Sequence, residues 1–138
     1  MLNKPVVVVT GASRGIGRSI SLALAAQGAK IVAVDIDQAA TEAFVAELKE
    51  QGTEAVAVQG NVTVAEDADN MIKVAKETFG QVDILVNNAG ITRDGLLLRM
   101  KDADWDAVLS VNLKGAFLCT RAAAKVMSKQ RSGRCRHY

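Results

Sequence analysis

Short runs of β-branched apolar residues alternate along this chain with longer stretches whose apolar residues recur at helical spacing. "PVVVVTG", residues 5–11, is apolar from Val6 to Val9, as suits a strand buried on both faces, and glycines follow at once. "SISLALAAQGAK" then sets Ile20, Leu22 and Leu24 among alanines and stops at Gly28, a helix C-cap signal. "KIVAVD" reads as a second strand, "QAATEAFVAELKEQG" as a helix ending at Gly52, and "EAVAVQGNV" as a third strand. "AEDADNMIKVAKETFG" carries acids in its first turn, lysines later and a glycine stop, in keeping with the helix dipole. "VDILVNNAG" is a fourth buried strand running into a loop, and "DADWDAVLSVNLKGAFLCTRAAAKVMSKQ" predicts one long helix over 102–130. Strands joined by helical crossovers predict an α/β protein with a doubly wound parallel sheet, truncated after the fourth strand and the long helix that follows.

At 138 residues the chain is long enough for one domain, burying about two-thirds of its unfolded surface. Hydrophobic residues make up 49% and charged residues 23%, a globular balance, and a net charge of +2 argues against nucleic acid as a partner. Cys119 and Cys135 fit neither a zinc spacing nor a disulfide framework, so a reducing compartment is expected. The apolar run near the N-terminus is shorter than the about 7 to 15 residues of a signal peptide, and no run reaches the about 18 of a membrane span. A cytoplasmic protein with no membrane partner is the expectation.

"VVVVTGASRGIGRSI" places Gly11, Gly15 and Gly17 between the first strand and the first helix. There the chain must turn tightly, bring its backbone close to a phosphate and pack helix against sheet, each easier without a Cβ. Amides at the helix N-terminus would then face a pyrophosphate, which makes this a Rossmann-type turn. A nucleoside-triphosphate loop does not fit, because five residues rather than four separate Gly11 from Gly17 and Arg18 stands where lysine is required. Asp35 ends the second strand about 20 residues on, where an acid accepts hydrogen bonds from the adenosine ribose and repels a 2′-phosphate. Arg14 points the other way if its guanidinium pairs with that phosphate, and is neutral in the choice if it is solvated. The carboxylate's position predicts NAD as cofactor, with NADP as the alternative.

"TGASRGIG", "NNAG" at 87–90 and "VNLKG" at 111–115, in this order and at these spacings, resemble the classical short-chain dehydrogenase/reductase family. "NNAGITRDGLLLRMK", the tryptophan at 105 and "KQRSGR" at 129–134 look more narrowly like the 3-oxoacyl-[acyl-carrier-protein] reductases of fatty acid synthesis. The resemblance brings Ser13 and Ile16 of the glycine turn into the cofactor site and implies that Asn61 and Val62 hold the adenine edge, with Asn61 where the family usually has aspartate. It sets Asn87, Ala89, Gly90 and Ile91 beside the adenosine ribose; a strand-end asparagine such as Asn87 has a purely structural alternative. Asn112 corresponds to a family asparagine that breaks regular helical bonding and holds a water in the proton relay, a catalytic role. Lys129 and Arg131 match a basic patch that docks the acidic acyl-carrier protein, although the helix dipole alone also favours cations there. A homo-oligomer formed through the long helix at 102–130, acting on an acyl-carrier protein or acyl thioester substrate, is implied as well.

In the family a serine, a tyrosine and a lysine four residues after that tyrosine lie on the fifth strand and the next helix, beyond "SGR". Here "CRHY" follows, with one thiol and basic side chains where a buried strand calls for β-branched residues. Tyr138 has no lysine four residues on. Residues 1–134 therefore read as the cofactor half of an oxidoreductase and 135–138 as an aberrant tail. An inactive fragment or frame-shifted reading of a reductase is expected, with the fourth strand left as an open edge. A stand-alone dinucleotide-binding module or assembly partner is the alternative.

Overall fold

The computed structural model describes residues 4–91 and 97–138. Residues 1–3, and 92–96 within the stretch that carries part of the resemblance, lie outside the described residues. Strands β1 (Val6–Thr10), β2 (Lys30–Asp35), β3 (Ala55–Gln59), β4 (Ile84–Asn87) and β5 (Arg134–His137) form one parallel sheet in the order β3-β2-β1-β4-β5. Helices α1 (Gly15–Ala26), α2 (Gln38–Glu50), α3 (Ala65–Phe79), α4 (Asp102–Val108) and α5 (Gly115–Gln130) connect and cover it. The doubly wound parallel sheet is the one the alternating pattern predicts.

Successive side chains of a strand face opposite sides, so the valine run of β1 is divided between two cores. Val6 and Val8 join Val32, Val34 and Leu85 beneath Met71 and Ile72 of α3 and Leu118, Ala122 and Met127 of α5. Val7 and Val9 join Ile31, Ala33 and Val86 beneath Phe44, Val45 and Leu48 of α2, with Ile20, Leu22 and Leu24 of α1 packed against them. A strand apolar at every position is what burial on both faces requires.

The sheet does not stop at the fourth strand. Arg134 to His137 run parallel to β4, with Leu85 opposite Cys135 and Val86 opposite Arg136, and the Tyr138 amide donates to the Asn87 carbonyl at 3.0 Å. This corrects the expectation of an open edge at β4 and carries the sheet past the boundary drawn at 134. Parallel pairing uses backbone N–H and C=O groups, which cysteine, arginine and histidine supply as well as valine does. All four residues of β5 are exposed, so an edge strand here escapes the demand for apolar side chains that applies farther in.

The helix expected over 102–130 is also modified. A π-helical segment at Leu109–Lys114 separates α4 from α5, and within it the Asn112 side chain reaches out of the helix to the Ile91 backbone. At its other end α5 is anchored by Gln130, whose Oε1 accepts from the Val82 amide at 2.9 Å and whose Nε2 donates to the Val82 carbonyl at 2.7 Å. That pair holds the helix against the segment leading into β4.

Docking of α5 is open to a chemical test. Cys119 is wholly buried under the helix and its thiol is pushed up to about 12 by that burial, whereas Cys135 lies exposed on β5. Maleimide added to the native protein should modify Cys135 and spare Cys119 until denaturant is present, as mass spectrometry of the two peptides will show. Equal modification of both thiols under native conditions would mean that α5 does not pack as described.

Candidate cofactor site

Strand order reverses between β1 and β4, and at the carboxyl ends of these strands a crevice opens, the place where such sheets bind ligands. A cleft of about 480 Å³ lies there. Its walls are Gly11 and Arg14 after β1, Val34 to Ile36 at the end of β2, Gly60 to Thr63 after β3, and Asn88 to Ile91 after β4. Val111 of the π-helical segment completes it.

The glycine turn fits the narrowest part of this arrangement. Gly11 has φ +66°, a left-handed conformation, and a Cβ on it would stand 3.0 Å from the Ala89 Cα. A Cβ on Gly17, in the first turn of α1, would run into the Gly11 carbonyl oxygen and lie 2.5 Å from Asn88 Nδ2. The turn can therefore close only with glycine at both positions. No side chain caps α1 and its first turn carries no acid, so its first amides are open to an anion. α2, by contrast, is capped by Asp37, which accepts from the Ala40 amide at 3.0 Å.

Asp35 is held from three directions. Its Oδ2 accepts from the Ser13 hydroxyl at 2.6 Å and the Ser13 amide at 3.1 Å, while its Oδ1 accepts from the Ile36 amide at 2.7 Å. Burial acts to push the carboxyl up, yet the bonds from Ser13, Ile36 and Asp37 together outweigh it and hold the group below the usual carboxylate value. The site thus presents a fixed negative charge at neutral pH. Arg14 forms an ion pair with Asp37 at 3.7 Å. Arg18 turns away, bonding Glu47 at 2.8 Å and lying over the Phe44 ring at 4.8 Å, so it joins α1 to α2 and does not serve as a phosphate-loop cation.

Asn61 and Val62 both stand in the cleft wall. The Asn61 side-chain Oδ1 accepts from the Thr63 amide at 2.9 Å and hydroxyl at 2.7 Å, which leaves Nδ2 as the donor end. Ala89, Gly90 and Ile91 line the cleft, but the asparagine beside them there is Asn88. Asn87 is 94% buried and donates to the Thr120 hydroxyl of α5 at 3.0 Å, a bond between sheet and helix. Asn112 spends both ends of its amide on Ile91, accepting at 2.8 Å and donating at 3.0 Å, and so fixes the last wall residue. Ser13 and Gly17 act from behind the wall, Gly15 sits at the start of α1, and Ile16 is exposed. Lys129 and Arg131 lie at the C-terminal end of α5, before β5, and do not line the cleft; both are exposed, and Arg131 takes φ +60°.

Two site residues escape a reading of the sequence. Thr10, 1% exposed, accepts from the Asn88 and Ala89 amides, both at 3.0 Å, and thereby joins the ends of β1 and β4. The signal was its hydroxyl closing an otherwise apolar strand. Asn88, whose Nδ2 donates to the Gly11 carbonyl at 3.3 Å, could be told from Asn87 only by knowing which way each side chain leaves the strand end.

A parallel sheet in this order, with a glycine turn at its switch point and a carboxylate at the end of the neighbouring strand β2, defines an α/β protein of the Rossmann type. More narrowly, the chain belongs to the short chain dehydrogenase family, whose model matches residues 5–135. A 3-oxoacyl-[acyl-carrier-protein] reductase of Synechocystis is 56% identical over 135 residues, covering 96% of this chain and 54% of the relative. The 3-oxoacyl-[acyl-carrier-protein] reductases FabG of Staphylococcus aureus and Staphylococcus epidermidis are 52% and 50% identical, each covering 91% of this chain and 52% of the relative. The chain spans about half the length of the curated relatives it matches. Among the described residues no helix is long and apolar enough to cross a membrane.

Proposed function

We propose that this chain supplies the cofactor-binding part of a cytoplasmic, NAD-dependent reductase that converts a 3-oxoacyl-[acyl-carrier-protein] to its 3-hydroxyacyl form. The observation that carries the reading is the Asp35 carboxylate, ionised and fixed by Ser13 at the strand end that borders the cleft. The donor set fits a dinucleotide. Gly11, Gly15 and Gly17 with the uncapped start of α1 would take the pyrophosphate, Asp35 the adenosine ribose, and Asn61 and Val62 the adenine edge. Ala89, Gly90 and Ile91 would form the wall along the ribose, Asn87 and Thr10 supporting them from below. When bound, a reduced nicotinamide supplies hydride to a carbonyl carbon.

Asn112 enters this reading as the residue that opens the helix and steadies Ile91; a water held by its freed backbone would belong to the proton path. Lys129 and Arg131 offer exposed positive charge to an acidic carrier protein. Trp105, Leu109, Leu113 and Phe117 recur every four residues along the helical stretch at 102–130 and are all exposed, a stripe suited to a second copy of the chain. The relatives from Synechocystis and Staphylococcus aureus are 3-oxoacyl-[acyl-carrier-protein] reductases, which supports a 3-oxoacyl substrate here.

Titration of the purified chain by nicotinamide fluorescence tests the cofactor. NADH should bind more tightly than NADPH, and Asp35→Ala should weaken NADH by about tenfold while narrowing or reversing the preference, since a hydrogen bond to a charged group is lost with the repulsion. Tighter NADPH binding by the unmutated chain would overturn the assignment to NAD.

A further inference from the structure

Arg14 is the one cation among the described residues that line the cleft, and it shares that cleft with Asp35, the residue that would take the adenosine ribose, so its guanidinium is the group there able to pair with a 2′-phosphate. Left alone it would favour the phosphorylated dinucleotide. It is not left alone. The carboxylate of Asp37 is held in two directions: Oδ1 accepts the Ala40 amide at 3.0 Å as the N-cap of α2, and Oδ2 faces the Arg14 guanidinium at 3.7 Å. Capping orients the carboxylate independently of the arginine, so the acceptor for Arg14 is set by the start of a helix. The side chains are 74% and 44% exposed, which leaves the pair open to exchange for a stronger anion.

We propose that Asp37 is a specificity-determining residue that acts through Arg14, drawing the guanidinium from the 2′-phosphate position and adding a second negative charge beside that of Asp35. The proposal rests on the dinucleotide reading of the cleft. Two carboxylates then select against the phosphorylated cofactor by different means. Asp35 occupies the ribose corner, and Asp37 engages the cation that would otherwise compensate for it. The preference for NAD is accordingly divided between the end of β2 and the cap of α2.

Asp37→Asn separates charge from structure, because asparagine caps a helix as well as aspartate does while losing its charge. NADH and NADPH are titrated against the full chain in four forms: unmutated, Asp37→Asn, Arg14→Ala and the double variant. The ratio of NADPH to NADH affinity should rise about fivefold on Asp37→Asn, the scale of an exposed charge pair, and by less than about twofold when Arg14 is already alanine. The difference between the two backgrounds should shrink as salt is raised. Equal gains in both backgrounds, with NADH still bound, would overturn the role of Asp37 and leave the dinucleotide reading standing. Failure of the unmutated chain and all variants to bind either dinucleotide would overturn both.

Discussion

Gly17→Ala will destabilise the protein by about 1–3 kcal/mol and lower NADH affinity by about a hundredfold. Inside a helix this exchange ordinarily stabilises by about 1 kcal/mol, so the expected sign runs against helix propensity. The opposing contact is with backbone: the new Cβ would meet the Gly11 carbonyl oxygen as well as Asn88 Nδ2, and the carbonyl cannot step aside as a flexible side chain could. Relief requires α1 to move away from the turn, and with it the amides that would face a pyrophosphate. Gly15→Ala serves as the control. Gly15 has φ +57° but nothing within 4 Å of its Cβ position, so in urea its alanine variant bears the cost of a left-handed residue alone, about 1–2 kcal/mol, and it controls for stability rather than for NADH binding. Urea unfolding of both variants and NADH titration of Gly17→Ala decide the matter. Retention of full NADH affinity by Gly17→Ala would mean that the turn does not hold the cofactor.

Thr10→Val keeps the shape of the side chain and removes its oxygen, and should cost about 1–3 kcal/mol. The Ala89 amide loses its acceptor in a half-buried place and carries the desolvation penalty of an unsatisfied donor, while the Asn88 amide keeps only the Val86 carbonyl at 3.1 Å. The loop after β4 is then free to shift, so NADH affinity should fall together with stability. Thr10→Ser retains the acceptor and should recover most of both. If valine proves as stable as threonine in urea while serine does not, methyl packing and not the hydroxyl is what matters at this position.

Much of the architecture could be read before the structure because its causes are local. The valines of β1 announce burial on both faces, and Gly28, Gly52 and Gly80, each with positive φ, follow the helices they end. Asp35 could be found for a similar reason: a carboxylate that ends a buried strand lies beside the turn that follows the adjacent strand, and Ser13 of that turn bonds it. What escaped depends on partners distant in sequence or on the backbone alone. β5 was missed because Arg134, Cys135, Arg136 and His137 form a poor strand by side chain, while the groups that pair them to β4 are common to all residues. The engagement of Arg14 by Asp37 joins two loops and has no trace in either. The periodicity predicts an unbroken helix through Asn112, and only the family resemblance marks a break there; that its whole amide is given to Ile91 is a matter of where the loop after β4 returns.

The strand order has a consequence for how the molecule is made. β1 lies between β2 and β4, yet its two neighbours arrive at very different times during synthesis: β2 follows directly, whereas the Asp83 carboxylate that accepts the Val6 amide at 2.7 Å lies 77 residues further along the chain. While the nascent chain grows, β1, β2 and β3 can assemble with one flank of the valine strand unpaired. That flank is an apolar edge of the kind that captures other strands, and it is shielded only when β4 emerges. In the interval between those two events the backbone edge of β1 is open to a strand of another chain.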